Sequence, residues 1–119
     1  MRLPRKFSMT KRADFARSRE HGRSRPGRYL VLSVLEDRSL DHFRTGFITT
    51  KKVGKAHQRN LLRRRFRAII QNNGESLSSQ YYIVTIARWR AIEASYEELE
   101  RDWLKQAKKL GILKVEPND

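Results

Sequence analysis

The chain has 119 residues, no cysteine, and 27 Lys and Arg against 13 Asp and Glu, a net charge of +14. That length suits a single domain over residues 1–119, and the missing cysteines exclude disulfides and thiolate metal sites. The longest apolar run, at residues 29–35, is too short for a bilayer. The basic N-terminus has no apolar segment behind it, so a cytoplasmic protein without a membrane partner is expected. The charge is one-sided: residues 1–74 hold 20 basic and 5 acidic side chains, residues 75–119 hold 7 and 8, and no carboxylate lies between His42 and Gly74. A solvated face explains mixed charge, whereas this excess suits a polyanionic partner.

In chain order, residues 10–21 read as a short helix, with Thr10 as N-cap, Asp14 in the first turn and Gly22 ending it in the left-handed conformation. Residues 23–27 read as a turn-rich basic connection. Residues 29–35 are β-branched and aromatic, a buried strand, and 36–43 a polar loop. Residues 44–52 read as a second strand, with Phe47, Thr49 and Lys51 on one face and Gly46, Ile48 and Thr50 on the other. Val53 and Gly54 break it, Gly54 for reasons of backbone geometry. A long helix follows over 56–73, stopped by Gly74, with Leu62, Phe66, Ile69 and Ile70 as its core stripe. After a Ser-rich loop at 75–80, residues 81–87 form an apolar strand. Ser95 and Glu98 have the spacing of a capping box. The helix they open runs to about Leu110, turns Tyr96, Leu99, Trp103, Ala107 and Leu110 inward, and is ended by Gly111. Residues 114–119 read as a frayed tail. Helix, two or three strands, helix, strand, helix is the order of an α+β sandwich.

No catalytic constellation appears. His21, His42 and His57 lack metal-ligand spacing, and His57 reads as a surface residue. No Gly-rich phosphate loop precedes a helix. Two-metal phosphodiester cleavage needs clustered carboxylates, and the basic half offers only the scattered Asp14, Glu20, Glu36, Asp37 and Asp41. Glu93, Glu97, Glu98, Glu100 and Asp102 suit a helix dipole and solubility. On the long helix, by contrast, Arg59, Arg63 and Arg67 stack on one face at about 100° per residue, Asn60 and Arg64 lie beside them, and Lys55 extends the row. Like charges at this spacing repel; a polyanion would neutralise them, and Arg meets phosphate bidentately. Lys51 and Lys52 stand just ahead of the helix, whose first amides add positive potential. Trp89 and Trp103 read as packing residues rather than base platforms. Phe15, on the short helix, reads by itself as a core residue.

The segment Lys51-Lys-Val-Gly-Lys-Ala-His-Gln-Arg-Asn-Leu-Leu-Arg-Arg64 resembles the signature of the bacterial ribonuclease P protein family. There a Lys-Lys strand end leads into a helix bearing Arg-Asn-Arg, one further residue, and a basic pair. Asp14-Phe-Ala-Arg-Ser-Arg-Glu-His-Gly22 and the basic stretch at 5–12 add weaker matches. The resemblance implies a two-layer α/β sandwich of α-β-β-β-α-β-α type (ribosomal-protein-S5-domain-2-like) with a left-handed βαβ crossover, against the usual hand. It implies a subunit of a ribonucleoprotein endoribonuclease whose RNA carries the catalytic groups. Its partners would be ribonuclease P RNA and precursor tRNA, with no obligate protein partner, and its magnesium would be held mainly by the RNA subunit and substrate. By position, the RNA-subunit contacts are Lys51, Lys52, Lys55, Arg59, Asn60, Arg63, Arg64 and, from the helix-face argument, Arg67. The 5′ leader of precursor tRNA would meet Phe15, Arg17, Arg19 and Ser33 in a cleft between the first helix and the sheet. The chain departs from the pattern at Leu61, where the motif has its second Arg, at Arg19, often aromatic, and at Ser33, sometimes aromatic. The alternatives from the residues alone are a general or ribosomal-type RNA-binding protein, and a nuclease acting without RNA.

Overall fold

The computed structural model describes residues 3–114. Its helices and strands follow the chain as α1 (Arg12–His21), β1 (Arg23–Pro26), β2 (Leu30–Glu36), β3 (Arg44–Ile48), α2 (Ala56–Asn73), β4 (Tyr81–Ala87) and α3 (Tyr96–Leu110). The sheet order is β1-β2-β4-β3. β1 and β4 run antiparallel to β2 on either side of it. β3 pairs parallel with β4 from Arg44↔Tyr82 to Ile48↔Ile86, so α2 is the crossover between the two parallel strands. Among the described residues, no helix is long and apolar enough to cross a membrane.

Strand alternation divides the sheet into two faces. Leu30, Leu32, Val34 and Ile83 face the main core, with Leu62, Phe66, Ile69 and Ile70 of α2 and Leu99, Trp103, Ala107 and Leu110 of α3. Trp103 is fully buried, and its indole N–H donates to Thr85 Oγ1 at 3.0 Å, so both buried polar groups are satisfied. The opposite face carries a smaller cluster of Met9, Tyr82 and Val84, flanked by Phe15, Leu35, Ile48 and Ile86. α1 lies over this second face.

The ends of α3 form as its sequence dictates. The Glu98 N–H donates to Ser95 Oγ at 3.1 Å and the Ser95 N–H to Glu98 Oε1 at 3.0 Å. The bond from the Ser95 backbone, helped by the Tyr29 hydroxyl, holds the Glu98 carboxyl below its ordinary pKa. Gly111 closes the helix at φ 76°, a left-handed conformation that costs a Cβ-bearing residue more.

Five readings of the sequence are corrected. α1 begins at Arg12 after Lys11, with no side-chain cap, so Thr10 is not its N-cap. Gly22 is extended (φ −80°, ψ 177°) rather than left-handed; a Cβ there would run into the carbonyls of Ser18 and Val34, so close approach of backbones is what requires glycine. Residues 23–26 are an edge strand rather than a connection; an edge tolerates Pro26 and exposed Arg23 and Arg25. β3 stops at Ile48, one residue before β4 itself ends, and the next residues turn, with the Val53 N–H bonded to Thr50 O at 3.0 Å. Trp89 is 56% exposed, not packed. Gly74 does end α2, but in right-handed geometry that passes into a 3₁₀ turn at Gly74–Ser76. Of the expected tail, the Lys114 N–H is bonded to Ser76 O at 2.7 Å, and residues 115–119 lie outside the described residues.

Candidate nucleic-acid interface

The core stripe of α2 is fully buried, which turns the rest of the helix outward. Lys55, Asn60, Arg64 and Arg67 are exposed, and Arg59 and Arg63 half-buried. Arg63 Nη1 donates to Asn60 Oδ1 at 2.6 Å, and the Arg67 guanidinium lies 5.7 Å from the Phe47 ring centroid. Both contacts orient a guanidinium without neutralising it. Arg59 Nε has no acceptor. Among the described residues, none of Lys51, Lys52, Lys55, Arg59, Arg63, Arg64 and Arg67 forms a salt bridge. The helix start adds to the positive field. Lys55 at the N-cap carries no acceptor, and its own N–H is taken by Gln58 Oε1 at 2.8 Å, so no side-chain oxygen of the N-cap neutralises the first amides of α2, which follow the turn holding Lys51 and Lys52. Arg65, the next residue after the motif's basic pair, behaves differently: its Nη1 donates to Ala94 O at 2.9 Å and ties α2 to the turn before α3. Nothing in the spacing separated it from its neighbours.

On the other face of the sheet, α1 leaves an open cavity of about 450 Å3 lined by Thr10, Arg12, Phe15, Ala16, Arg19 and Ile48. The Phe15 ring lies directly on Gly46, where any Cβ would overlap it. Phe15 is half-buried, so it both packs on the small cluster and presents ring surface to the cavity. Lys51 and Lys52 follow Ile48 by three and four residues, which joins the mouth of this cleft to the start of α2.

Two residues assigned to the cleft from the sequence do not line this cavity. Ser33 is 1% exposed and its Oγ has no partner. It sits in the middle of the sheet, between Ser24 and Val84, on the face that α1 covers. Ser18 of α1 is also fully buried, and small side chains of this kind let a helix sit close on a sheet. Arg17 is engaged away from the cavity: its guanidinium is 3.4 Å from Asp37 and 3.8 Å from Asp14, and 5.3 Å from the Tyr82 ring centroid. Hydrogen bonds from the Ser39 hydroxyl and amide, with Arg17 adding to them, hold Asp37 below its ordinary pKa, so this partner stays charged. Arg19 alone of the two lines the cavity.

Among the described residues, no three His, Cys, Asp or Glu side chains stand together. Two basic surfaces stand out: a row of cations on α2 without ion-pair partners among the described residues, and a cleft that holds Phe15 and is rimmed by Arg12 and Arg19.

A family model described as Ribonuclease P matches residues 3–111. The ribonuclease P protein component of Syntrophomonas wolfei is 34% identical over 110 residues, which span 87% of this chain and 92% of the relative. Among solved structures, the RNase P protein of Staphylococcus aureus superposes with a TM-score of 0.84 at 26% identity, covering 91% of this chain and 98% of that one. The RNase P protein of Thermotoga maritima gives a TM-score of 0.75 at 26% identity, covering 82% and 92%.

Proposed function

The chain belongs to the ribonuclease P protein family, subunits of the ribonucleoprotein that processes tRNA 5′ ends in partnership with ribonuclease P RNA, and on that premise we propose how its two surfaces divide the work. The outward row of α2, with Lys51 and Lys52, holds phosphates of the RNA subunit. The cleft between α1 and the sheet holds the single-stranded 5′ leader of precursor tRNA, with Phe15 stacking on a base and Arg12 and Arg19 meeting phosphates. The observation that carries the division is the unneutralised row on a helix whose opposite face is core: the fold fixes the cations and leaves their countercharge to come from outside.

The polypeptide contributes binding, orientation and charge screening between two polyanions. Magnesium belongs to the RNA subunit and the substrate phosphates. Three of the five carboxylates of the basic half already face a guanidinium: Asp14 and Asp37 face Arg17, and Glu36 lies 3.8 Å from Arg38.

The leader assignment is tested by binding precursor tRNA with a leader of several nucleotides, and mature tRNA, to the RNA subunit with and without the protein. The protein should tighten binding of the leader-bearing substrate by about tenfold or more, since one stacked base contributes about 1–3 kcal/mol, and leave mature tRNA nearly unchanged. Equal tightening of both would remove the leader from the cleft.

A further inference from the structure

The 3₁₀ turn Trp89–Glu93, between β4 and α3, belongs to neither surface above. It is firmly held. The Arg88 N–H donates to Tyr29 O at 2.9 Å and Arg88 Nη1 to Gly27 O at 2.8 Å. Ala91 and Ala94 are buried, and Arg65 of α2 clasps the Ala94 carbonyl. Yet this anchored turn exposes Trp89 by 56% and Ile92 by 37%, and Leu61 on α2 is 40% exposed. Ile92 and Leu61 line one groove with His57, Gln58, Leu62 and Arg65, a cavity of about 220 Å3. A single exposed apolar residue is ordinary; here Leu61 and Ile92 meet where the turn reaches the helix that carries the cation row, and Trp89 lies one 3₁₀ turn before Ile92.

The charges around them indicate the occupant. The Arg90 guanidinium lies 4.9 Å from the Trp89 ring centroid, Arg64 is one turn along α2 from Leu61, and the turn's one carboxylate is Glu93. An indole with a guanidinium against it offers π-surface and cation together, which suits an unpaired nucleobase and its phosphate. We propose that Trp89 and Arg90, beside the Leu61–Ile92 groove, form a platform for an unpaired base of the RNA subunit, adjoining the phosphate contacts of α2. The proposal rests on the assignment of α2 to that RNA. It also gives Leu61 a role: at a position where the family motif carries Arg, this chain exchanges a charge for apolar surface next to a stacking residue.

Binding of transcribed bacterial ribonuclease P RNA across a salt series tests it, with Trp89→Ala, Trp89→Tyr and an Arg63→Ala/Arg64→Ala reference variant. Trp89→Ala should weaken binding about tenfold at every salt concentration, because stacking releases no counterions, and Trp89→Tyr should restore most of the loss. Trp103 is fully buried, so RNA should quench emission from Trp89 in the wild type, and the quenching should vanish in Trp89→Tyr. Wild-type affinity in Trp89→Ala, with affinity lost in the arginine variant, overturns the platform and leaves the α2 assignment standing. A loss seen only with leader-bearing precursor tRNA on the reconstituted enzyme overturns the assignment to the RNA subunit. If neither variant loses affinity for the RNA subunit, the α2 assignment fails as well.

Discussion

Replacing Arg59, Arg63 and Arg64 together by Ala is expected to flatten the salt dependence of RNA-subunit binding by up to about three units in the log–log slope, about one per phosphate contact. Over a rise from about 50 to about 200 mM salt, a change of about three units in slope corresponds to a factor of about sixty in affinity. The fold should survive. The side chains leave the helix off the buried Leu62–Phe66–Ile69 stripe, and none has an ion-pair partner among the described residues. Removing like charges at i,i+4 should, if anything, raise helix stability by a few tenths of a kcal/mol, about what such a pair costs. A salt titration alongside thermal melting reads both. A triple variant that melts like the wild type and keeps its full salt slope would place the RNA elsewhere.

The second large effect is at Phe15, whose two roles can be separated. Phe15→Ala should lose stability, but less than the roughly 3–5 kcal/mol of a fully buried Phe, because the ring is half-buried on a small cluster of Met9, Tyr82 and Val84. It should also lose leader affinity by about 1–3 kcal/mol. Phe15→Leu keeps most of the apolar contact over Gly46 and has no π-face. It should melt close to the wild type and still bind leader-bearing precursor tRNA more weakly, with mature tRNA and the RNA subunit unaffected. Leader affinity retained in Phe15→Leu would reduce Phe15 to packing.

Much of this architecture is legible in the sequence where a period and a cap coincide. α2 shows its core stripe and its cation row in one eighteen-residue helix. β4 is an apolar run, and α3 is bracketed by Ser95 and Gly111. What escapes is set by neighbours distant in sequence. β1 has every residue exposed, so no burial pattern marks it, and only its pairing with β2 makes it a strand. Arg17 and Arg19 look alike on a helix, but Asp37, twenty residues on, takes Arg17. Strand alternation places Ser33 on the second face of the sheet; whether a helix lies over it is not written in the strand. Trp103 belongs to a helical stripe with Leu99 and Ala107, whereas Trp89 lies in a short turn with no period, and only the tertiary structure separates a core indole from an exposed one.

This polypeptide is expected to assist an RNA catalyst through binding alone. The most direct measurement is cleavage of precursor tRNA at its mature 5′ end by the purified protein, by ribonuclease P RNA, and by the two together, at descending magnesium concentrations. No product from the protein by itself, and cleavage by the reconstituted enzyme at magnesium levels where the RNA has ceased to act, is the result the account predicts. Cleavage at that site by RNA-free protein, or an RNA whose magnesium requirement the protein leaves unchanged, would contradict it.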